Sequence, residues 1–459
     1  MIVSTLSRAA NDMNGTLRGD DVTFRGVSTD TRLLRPGELF VALKGPNFDG
    51  TAFVEQAARG NAAGAVVSQP VDAPLPTITV GDTLEALGQL AAAWRRKMPA
   101  DVIGITGSNG KTTLKELLAS CLSISDETLA THGNLNNEIG VPLMLLRMND
   151  KHRYAVIEMG ANHHGEIAYL TSLVSPKVVA ITNAAPAHLE GFGSVEGVAR
   201  AKGEILTDRS RPECAVLNAD DDYFAYWNSL VADVHVLTFG LSADADVRAS
   251  QVEATGDGSR FTLHLPDAQV EVRLSLAGKH NVVNACAAAA IAHALGVSEA
   301  QIAKGLEAVV PVGGRLQPVR SGSGAILYDD SYNANPVSVQ AAAEFLASQE
   351  GRHWMVLGDM AELGGDAELL HAHTGWVIRE SGVENLLATG PLAQKAVESY
   401  GPNGRWFQGI DELIDALRAS ISPGDIVLVK GSRSMGMERV VNALTASSYH
   451  GIDSKARRA

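Results

Sequence analysis

The sequence is poor in cysteine, with three in 459 residues. Cys121, Cys214 and Cys286 are scattered among apolar residues, and none has the spacing of a metal-binding pair with another. A disulfide scaffold and a cysteine-based metal site are therefore excluded, and the three thiols are expected in the core. This usage is typical of a reducing compartment, so we expect a cytoplasmic protein.

Long hydrophobic runs are also missing. The longest, from Ala285 to Val297, is rich in alanine, shorter than a helix that spans a bilayer, and interrupted by His293. The N-terminus has neither the basic start nor the long apolar segment of a signal peptide. We therefore expect no insertion into a membrane.

Positive charge is scarce relative to negative charge. The 38 lysines and arginines face 52 aspartates and glutamates, which gives a net charge of −14. This balance disfavours sequence-independent binding to nucleic acid or to anionic membranes. The chain has 45% hydrophobic and 20% charged residues, as folded proteins do, and its 459 residues exceed one typical core.

The pattern of apolar runs predicts an α/β protein of three domains. Residues 1–83 form a small α/β module, residues 84–313 a mostly parallel sheet with helices, and residues 314–459 a Rossmann-like domain. A linker is expected around Val309–Gly314, where proline and glycine end a helix. The tail 453–459 is expected to be disordered, and a monomer is the expected state.

The predicted strands fall into three groups. The N-terminal group is Leu39–Leu43, Ala65–Val67 and Thr77–Val80; the central group is Val102–Thr106, Tyr154–Glu158, Lys177–Thr182 and Cys214–Asn218; the C-terminal group is Ala325–Asp329, His353–Gly358, Asn385–Thr389 and Asp425–Lys430. Between about 234 and 276 the pattern changes to alternating strands. Arg260–Leu265 and Glu271–Leu276 belong to this part, with Gly256–Gly258 as a turn.

A glycine-rich loop with lysine and threonine follows the first central strand. Gly107 and Gly110 can adopt positive φ, so the amides of residues 107–112 can surround phosphate oxygens at a helix N-terminus. Lys111 can reach the outer phosphates, and the Thr112 hydroxyl can bind Mg²⁺. Ile105 stands where an ordinary P-loop has its first glycine. This spacing argues against an ordinary P-loop kinase or GTPase.

Other polar residues lie near the carboxyl ends of the central strands, where open α/β sheets bind ligands. Glu158 ends one strand and suits Mg²⁺, although a helix cap or a solvated carboxylate is the commoner role. His188 offers a second ligand or is structural, and Lys202 on a helix is usually solvated. The loop 131–138 is rich in amides that can bind a peptide or phosphate, or can form turns.

The sequence resembles the Mur ligases of peptidoglycan synthesis over essentially the whole chain, because the motifs of that family occur here in the same order. The matching strings are residues 106–113, Thr131–Asn136, Glu158–Gly160, His188, Lys202 and Gly278–Asn284. Three C-terminal strings, at 329–336, 358–364 and 430–435, resemble the branch that adds D-alanyl-D-alanine to UDP-N-acetylmuramoyl-tripeptide. The third residue of that tripeptide, diaminopimelate or lysine, is left open.

The resemblance implies an ATP site between the central and C-terminal domains. The residues it assigns to ATP are Gly107, Ser108, Asn109, Gly110, Lys111, Thr112, Thr113, His280, Asn281, Asn284, Arg315, Asp330, Tyr332, Asn333 and Pro336. It implies one Mg²⁺ on Thr112 and Glu158 and a second involving His188, with Lys202 carbamylated to act as a metal ligand. Lys111, Asn137 and His188 would hold the tetrahedral anion of the reaction.

The resemblance also implies where the other substrates bind. Ser28, Thr29, Arg32, Lys44 and Asp49 would hold the uridine nucleotide. The peptide would meet Asn134 and Asn136, and the dipeptide would meet Asn333, Lys430, Ser432 and Arg433. Without the resemblance, Arg32 and Lys44 are as well explained as surface cations as they are as ligands of the uridine nucleotide.

Two other functions were weighed against this one. A sister ligase, adding an amino acid to a nucleotide peptide or glutamate to folate, would share the central motifs but lack the three C-terminal strings together. A P-loop phosphotransferase or a non-catalytic ATP-binding regulator would have no use for Lys202 and the asparagine loop.

Overall fold

The computed structural model describes residues 1–45, 48–207, 212–255 and 258–445. Three sheets of five, nine and six strands follow one another along the chain, and each is mostly parallel. The expected α/β class with three domains is confirmed. The turn predicted at Gly256–Gly258 lies partly outside the described residues, and the tail 453–459 lies wholly outside them.

The N-terminal sheet has the strand order β2-β9-β8-β5-β4 and is antiparallel only between β2 and β9. Two short antiparallel pairs, β1 with β3 and β6 with β7, lie beside it. The elements are β1 (Val3–Thr5), α1 (Leu6–Asp12), β2 (Thr16–Arg18), β3 (Thr23–Arg25), β4 (Val27–Ser28), β5 (Leu39–Val41), β6 (Lys44–Gly45), β7 (Phe48–Asp49), α2 (Val54–Arg59), β8 (Gly64–Val67) and β9 (Thr77–Thr79).

The central domain holds the nine-stranded sheet, in the order β11-β12-β10-β13-β14-β15-β16-β17-β18. Its elements are α3 (Thr83–Arg95), β10 (Asp101–Thr106), α4 (Lys111–Leu122), β11 (Thr128–Ala130), α5 (Gly140–Leu145), β12 (Tyr154–Glu158), α6 (Glu166–Val174), β13 (Val178–Ile181), α7 (Leu189–Phe192), α8 (Val195–Gly203), β14 (Cys214–Asn218), α9 (Phe224–Ser229), β15 (His235–Gly240), β16 (Val247–Thr255), β17 (Gly258–His264), β18 (Gln269–Leu274), α10 (Lys279–Ala294) and α11 (Glu299–Glu307).

Antiparallel pairing begins within the stretch 234–276 and not at its start. β15 pairs in parallel with β14, and β16 begins in parallel with β15, so antiparallel pairing starts only between β16 and β17. The alternating pattern expected from about 234 is nevertheless present in β15, because its first residues are partly exposed.

The core of the central domain lies on both faces of its sheet. Val102 and Ile157 pack on one face, while Ile103 and Val156 pack on the other. The alanine-rich run that is too short for a membrane span forms α10, which is buried and packs against α4 and β15. Among the described residues, no helix is long and apolar enough to cross a membrane.

The C-terminal sheet has the order β19-β20-β24-β21-β22-β23 and is parallel except for β19. Its elements are β19 (Gln317–Arg320), β20 (Ile326–Asp330), α12 (Pro336–Ala347), β21 (His353–Gly358), α13 (Ala367–Glu380), β22 (Asn385–Thr389), α14 (Ala393–Tyr400), β23 (Gly404–Phe407), α15 (Ile410–Ser420), β24 (Ile426–Lys430) and α16 (Glu438–Thr445). Single 3-10 turns occur at Gly50–Phe53, Glu204–Leu206, Gly364–Asp366 and Arg433–Met435.

Candidate active site

A cavity of about 750 Å³ lies between the carboxyl ends of the central and C-terminal sheets. Parallel strands bring the loops that follow them to one edge, so residues far apart in sequence meet there. The predicted site residues that line this cleft are Ser108, Asn109, Gly110, Lys111, Thr112, Thr113, Asn134, Asn136, Asn137, Glu158, His188, His280, Asn281, Asn284, Arg315, Asp330, Tyr332, Asn333 and Lys430.

The glycine-rich loop joins β10 to α4 at the floor of the cleft. Gly107 has φ +143°, and an added Cβ there would collide with the Thr182 hydroxyl. Gly110 caps α4 with φ +82° and packs against Asn284. Lys111 Nζ donates to the Gly107 carbonyl at 2.6 Å, so the amine already folds back over the loop.

Two of the amides expected to face phosphate are already bonded. The Ser108 amide donates to the Asn183 carbonyl at 3.0 Å, and the Asn109 amide donates to Asn183 Oδ1 at 3.0 Å. Asn183 therefore anchors the loop to the end of β13. The amides at the start of α4, which have no partner within the helix, are left to meet an anion.

Glu158 lies between the phosphate loop and the asparagine loop 131–138. Its side chain is 3% exposed, accepts the Thr112 hydroxyl at 2.9 Å on Oε2, and accepts Asn136 Nδ2 at 2.9 Å on Oε1. A buried carboxylate beside a hydroxyl supplies the hard oxygen ligands that Mg²⁺ prefers, so these residues fit the ion. Among the described residues, no group of three histidine, cysteine, aspartate or glutamate side chains converges on one point.

His188 lines the cleft, whereas Lys202, on α8, lies outside the cleft lining. His188 precedes α7 with φ +55°, and its Nδ1 is hydrogen-bonded to Glu362 Oε2 of the C-terminal domain. Burial lowers the pKa of His188 below its usual value, while Glu362 opposes that shift. Lys202 is 1% exposed, so a solvated role for it is excluded. Burial, and then the charge of Lys111, lower the pKa of Lys202 to about 7.

The C-terminal domain reaches the phosphate loop at two points. Arg315 Nη2 donates to Thr112 Oγ1 at 2.9 Å, and its guanidinium lies 4.4 Å from the centroid of the Tyr332 ring. Asn335 Nδ2 donates to Asn109 Oδ1 at 2.7 Å. Both contacts cross the cleft, so both domains contribute to one site.

Asp330 and Lys430 meet at the carboxyl ends of β20 and β24. Lys430 Nζ donates to Asp330 Oδ2 at 2.6 Å and to the Asn333 carbonyl at 3.0 Å, and Lys430 is 4% exposed. The Ser432 hydroxyl accepts the Ala361 amide at 2.7 Å. The polar atoms of this group are therefore engaged within the C-terminal domain.

Several predicted site residues lie outside the cleft lining. Arg32 forms a two-point ion pair with Asp30, with its Nη2 2.6 Å from Oδ2, and its side chain is 82% exposed. Arg433 pairs with Glu438 at 3.0 Å, also at the surface. The others that the cavity does not touch are Ser28, Thr29, Lys44 and Asp49 of the N-terminal domain, together with Gly107, Lys202, Pro336 and Ser432.

Sequence reasoning missed Asn183, Asn335 and Glu362. Asn183 lies just after β13, a position that signals the ligand edge of a sheet. Asn335 precedes Pro336 and caps α12, so the ordinary signal of a helix start hides its second contact. Glu362 has no local signal that points to His188.

Family models match three consecutive stretches of the chain. Residues 23–95 match the Mur ligase family catalytic domain, residues 105–292 the Mur ligase middle domain, and residues 314–433 the Mur ligase glutamate ligase domain. A relative from Escherichia coli K12, UDP-N-acetylmuramoyl-tripeptide–D-alanyl-D-alanine ligase, is 44% identical over 447 residues, or 97% of this chain and 99% of the relative.

Solved structures give the same result. MurF from Acinetobacter baumannii superposes with a TM-score of 0.92 at 38% identity, covering 97% of this chain and 99% of that one. MurF ligase from Thermotoga maritima in complex with ADP superposes with a TM-score of 0.82 at 26% identity, covering 92% and 97%.

A phosphate loop at the edge of a parallel sheet, faced by a Rossmann-like domain across a polar cleft, defines a nucleotide-dependent enzyme with a site shared by two domains. The chain belongs to the Mur ligase family.

Proposed function

We infer that the protein uses ATP to join D-alanyl-D-alanine to UDP-N-acetylmuramoyl-tripeptide in cytoplasmic peptidoglycan precursor synthesis. The relative from E. coli carries this activity in its name and matches 97% of the chain. The observation that carries the inference is the cleft itself, where Arg315 of one domain meets Thr112 of the other at 2.9 Å. A phosphate chain bound on the loop would therefore contact both domains.

The reaction has two steps. The tripeptide carboxylate attacks the γ-phosphorus of ATP and releases ADP, which gives an acyl phosphate. The amine of D-alanyl-D-alanine then attacks the acyl carbon, and phosphate leaves. We assign Lys111 and Arg315 to the negative charge on the phosphoryl oxygens, and Lys111, Asn137 and His188 to the tetrahedral anion.

Two Mg²⁺ ions would complete this assignment, one held by Thr112 and Glu158 and the other by His188 and Lys202. Bound Mg²⁺ offsets the repulsion between the triphosphate and the incoming carboxylate. We propose that Lys202 is carbamylated, because its 1% exposure disfavours an ammonium and a neutral amine adds to carbon dioxide with loss of a proton. The product is an anion that suits a metal ligand. Mass analysis of the native protein tests this by the added mass of one carbon dioxide.

The nucleotide base and ribose are assigned to the two sides of the same cleft. His280, Asn281 and Asn284 at the start of α10 would meet adenine, with Tyr332, Asn333 and Pro336 opposite, and Asp330 would accept the ribose hydroxyls. Support comes from the fact that all of these residues except Pro336 line the same cleft as the phosphate loop.

The remaining substrates are assigned by family pattern and by place in the fold. Residues 1–83 would hold the uridine end through Ser28, Thr29, Arg32, Lys44 and Asp49. Asn134 and Asn136 would meet the peptide. Asn333, Lys430, Ser432 and Arg433 of domain 314–459 would meet the dipeptide opposite domain 84–313. We propose that the enzyme acts as a monomer.

The test is release of ADP by the purified protein with Mg²⁺, ATP and UDP-N-acetylmuramoyl-tripeptide, with and without D-alanyl-D-alanine. Release that requires the dipeptide, together with a nucleotide product heavier by one dipeptide unit, would support the inference. Dipeptide-independent turnover, or growth by another amino acid, would contradict it.

A further inference from the structure

The loop after β21 in the C-terminal domain contacts the loop that carries His188 in the central domain. Glu362 makes both polar links of this contact. Its Oε2 is hydrogen-bonded to His188 Nδ1, and its carbonyl accepts the Glu190 amide at 3.3 Å. Glu362 does not line the cleft, although its partner His188 does, and this contact is separate from the Arg315–Thr112 contact.

The backbone at this contact has a conformation that side chains disfavour. His188 has φ +55° and Glu362 has φ +62°, and both are residues with a Cβ. The left-handed region is uncommon for such residues, and it persists where surrounding contacts require it. The two loops therefore hold unfavourable backbone at the very residues that meet across the domain boundary.

The chemistry of imidazole gives this contact a consequence. A hydrogen bond between Nδ1 and a carboxylate fixes the direction of the imidazole ring and leaves Nε2 as the ring nitrogen that can meet another group. His188 lines the cleft, so the atom left available by Glu362 is the one that can act there.

We propose that Glu362 is a positioning residue that orients His188 from the opposite domain. This proposal rests on the proposed function, since it concerns the use of His188 in that reaction. Because the carboxylate belongs to the C-terminal domain, the ring is oriented only when the two domains are in contact. The second domain thus contributes Arg315 to the phosphate loop and, through Glu362, an oriented imidazole to the cleft.

This arrangement predicts that loss of Glu362 affects turnover and not the binding of ATP. ATP can bind the phosphate loop without Glu362, because Glu362 is not among the residues that line the cleft. Orientation of His188 matters once charge develops during the reaction. Removal of Glu362 should therefore lower kcat and leave KM for ATP nearly unchanged.

The experiment compares Glu362→Ala and Glu362→Gln with the wild-type enzyme. Glu368→Ala serves as the matched control, because Glu368 is an exposed carboxylate nearby at the start of α13. Dipeptide-dependent ADP release gives kcat and KM. Hydrogen exchange of residues 188–193, followed by mass spectrometry on the protein without added nucleotide, gives a readout that does not depend on turnover.

We expect Glu362→Ala to lower kcat about 10- to 100-fold, the usual effect of removing the partner of a functional histidine. Exchange of residues 188–193 should be faster in this variant, since the Glu190 amide loses its protection as the contact opens. Glu362→Gln keeps an uncharged acceptor and should fall between Ala and wild type in both measurements. Glu368→Ala should match wild type.

Three results would overturn the proposal. The first is a Glu362→Ala enzyme with wild-type kcat and wild-type exchange at 188–193. The second is an equal loss of kcat in the Ala and Gln variants, and the third is a change confined to KM. Failure of the wild-type protein to ligate the dipeptide would instead count against the proposed function, and the exchange measurement would still report on the contact.

Discussion

Acidification is expected to weaken the C-terminal domain through His371, a fully buried histidine on α13. Its Nδ1 donates to the Ala367 carbonyl at 2.7 Å, and its Nε2 accepts the Met360 amide at 2.9 Å. A second ring proton, on Nε2, would point at the Met360 N–H group, which is itself a donor. The folded state therefore keeps the imidazole neutral, and burial lowers the pKa of His371 below its usual value.

The direction of the effect follows from proton linkage. In the unfolded chain, histidine binds a proton near pH 6.5, while folded His371 does not. The contribution to stability is therefore complete above that pH and is lost as the pH falls below it. One such group removes up to about 1 kcal/mol between pH 6.5 and 5.5, or about 2 °C in the unfolding temperature. Burial raises the pKa of neighbouring Asp359, so that group acts in the opposite direction and at lower pH.

Thermal unfolding of the wild type, His371→Gln and His373→Gln at about pH 7.5, 6.5 and 5.5 measures the pH-dependent contribution of His371 to stability. His373 lies on the same helix, is exposed, and stacks on Trp376 with 5.5 Å between ring centroids. The wild type and His373→Gln should lose stability in parallel on acidification, and His371→Gln should lose less. The comparison uses the change in unfolding temperature with pH, so a lower unfolding temperature of His371→Gln at about pH 7.5 does not affect it. An equal change with pH in all three proteins would refute the reasoning.

Three further changes test the site. Gly107→Ala should abolish ATP binding, because the added methyl group would collide with the Thr182 hydroxyl and the residue has φ +143°. Gly81→Ala is the control, since no atom lies within 4 Å of the added methyl group. An unchanged Kd for ATP in Gly107→Ala, measured by calorimetry, would count against the prediction. Lys202→Ala should lower ligation about 100-fold while ADP binding is retained, as measured by ADP release and by titration. Arg315→Lys keeps the charge but loses the ring stacking, so ATP should bind about tenfold more weakly, and equal affinity would exclude a role for the guanidinium.

The phosphate loop was predictable because its signal is local. One strand, a glycine-rich turn and one helix place Lys111 and Thr112 without help from distant residues. Glu158 was predictable for a related reason. Its strand pairs with β10 in parallel so that Glu158 lies opposite Ile105, and strand ends in register bring their following loops together.

The contacts across the cleft could not be derived from local pattern. Asn335 has the sequence signature of a helix cap, and it is one, since it also accepts the Ser338 amide at 2.9 Å. Its bond to Asn109 depends on how two domains pack, and no periodicity within either domain encodes that. The same holds for Glu362, whose exposed position in a loop gives no reason to expect a partner 174 residues away.

A buried chain of hydrogen bonds explains why the position of Glu158 in the cleft needs no second domain. Lys115 is 2% exposed and donates to the Thr131 carbonyl at 2.7 Å, while Thr131 Oγ1 accepts the Glu158 amide at 2.9 Å. This chain fixes the start of the asparagine loop to the end of β12.

Asn136 therefore reaches Glu158 entirely within the central domain. By contrast, Thr112 is contacted by Arg315 and His188 by Glu362, and both partners belong to the C-terminal domain. The phosphate loop and Glu158, which can hold a triphosphate and its metal ion, thus belong to the central domain. Arg315 and Glu362, which contact Thr112 and His188 beside the triphosphate, belong to the C-terminal domain. We expect an enzyme built this way to bind ATP through the central domain and to react only with both domains in contact, which would limit loss of the acyl phosphate to water.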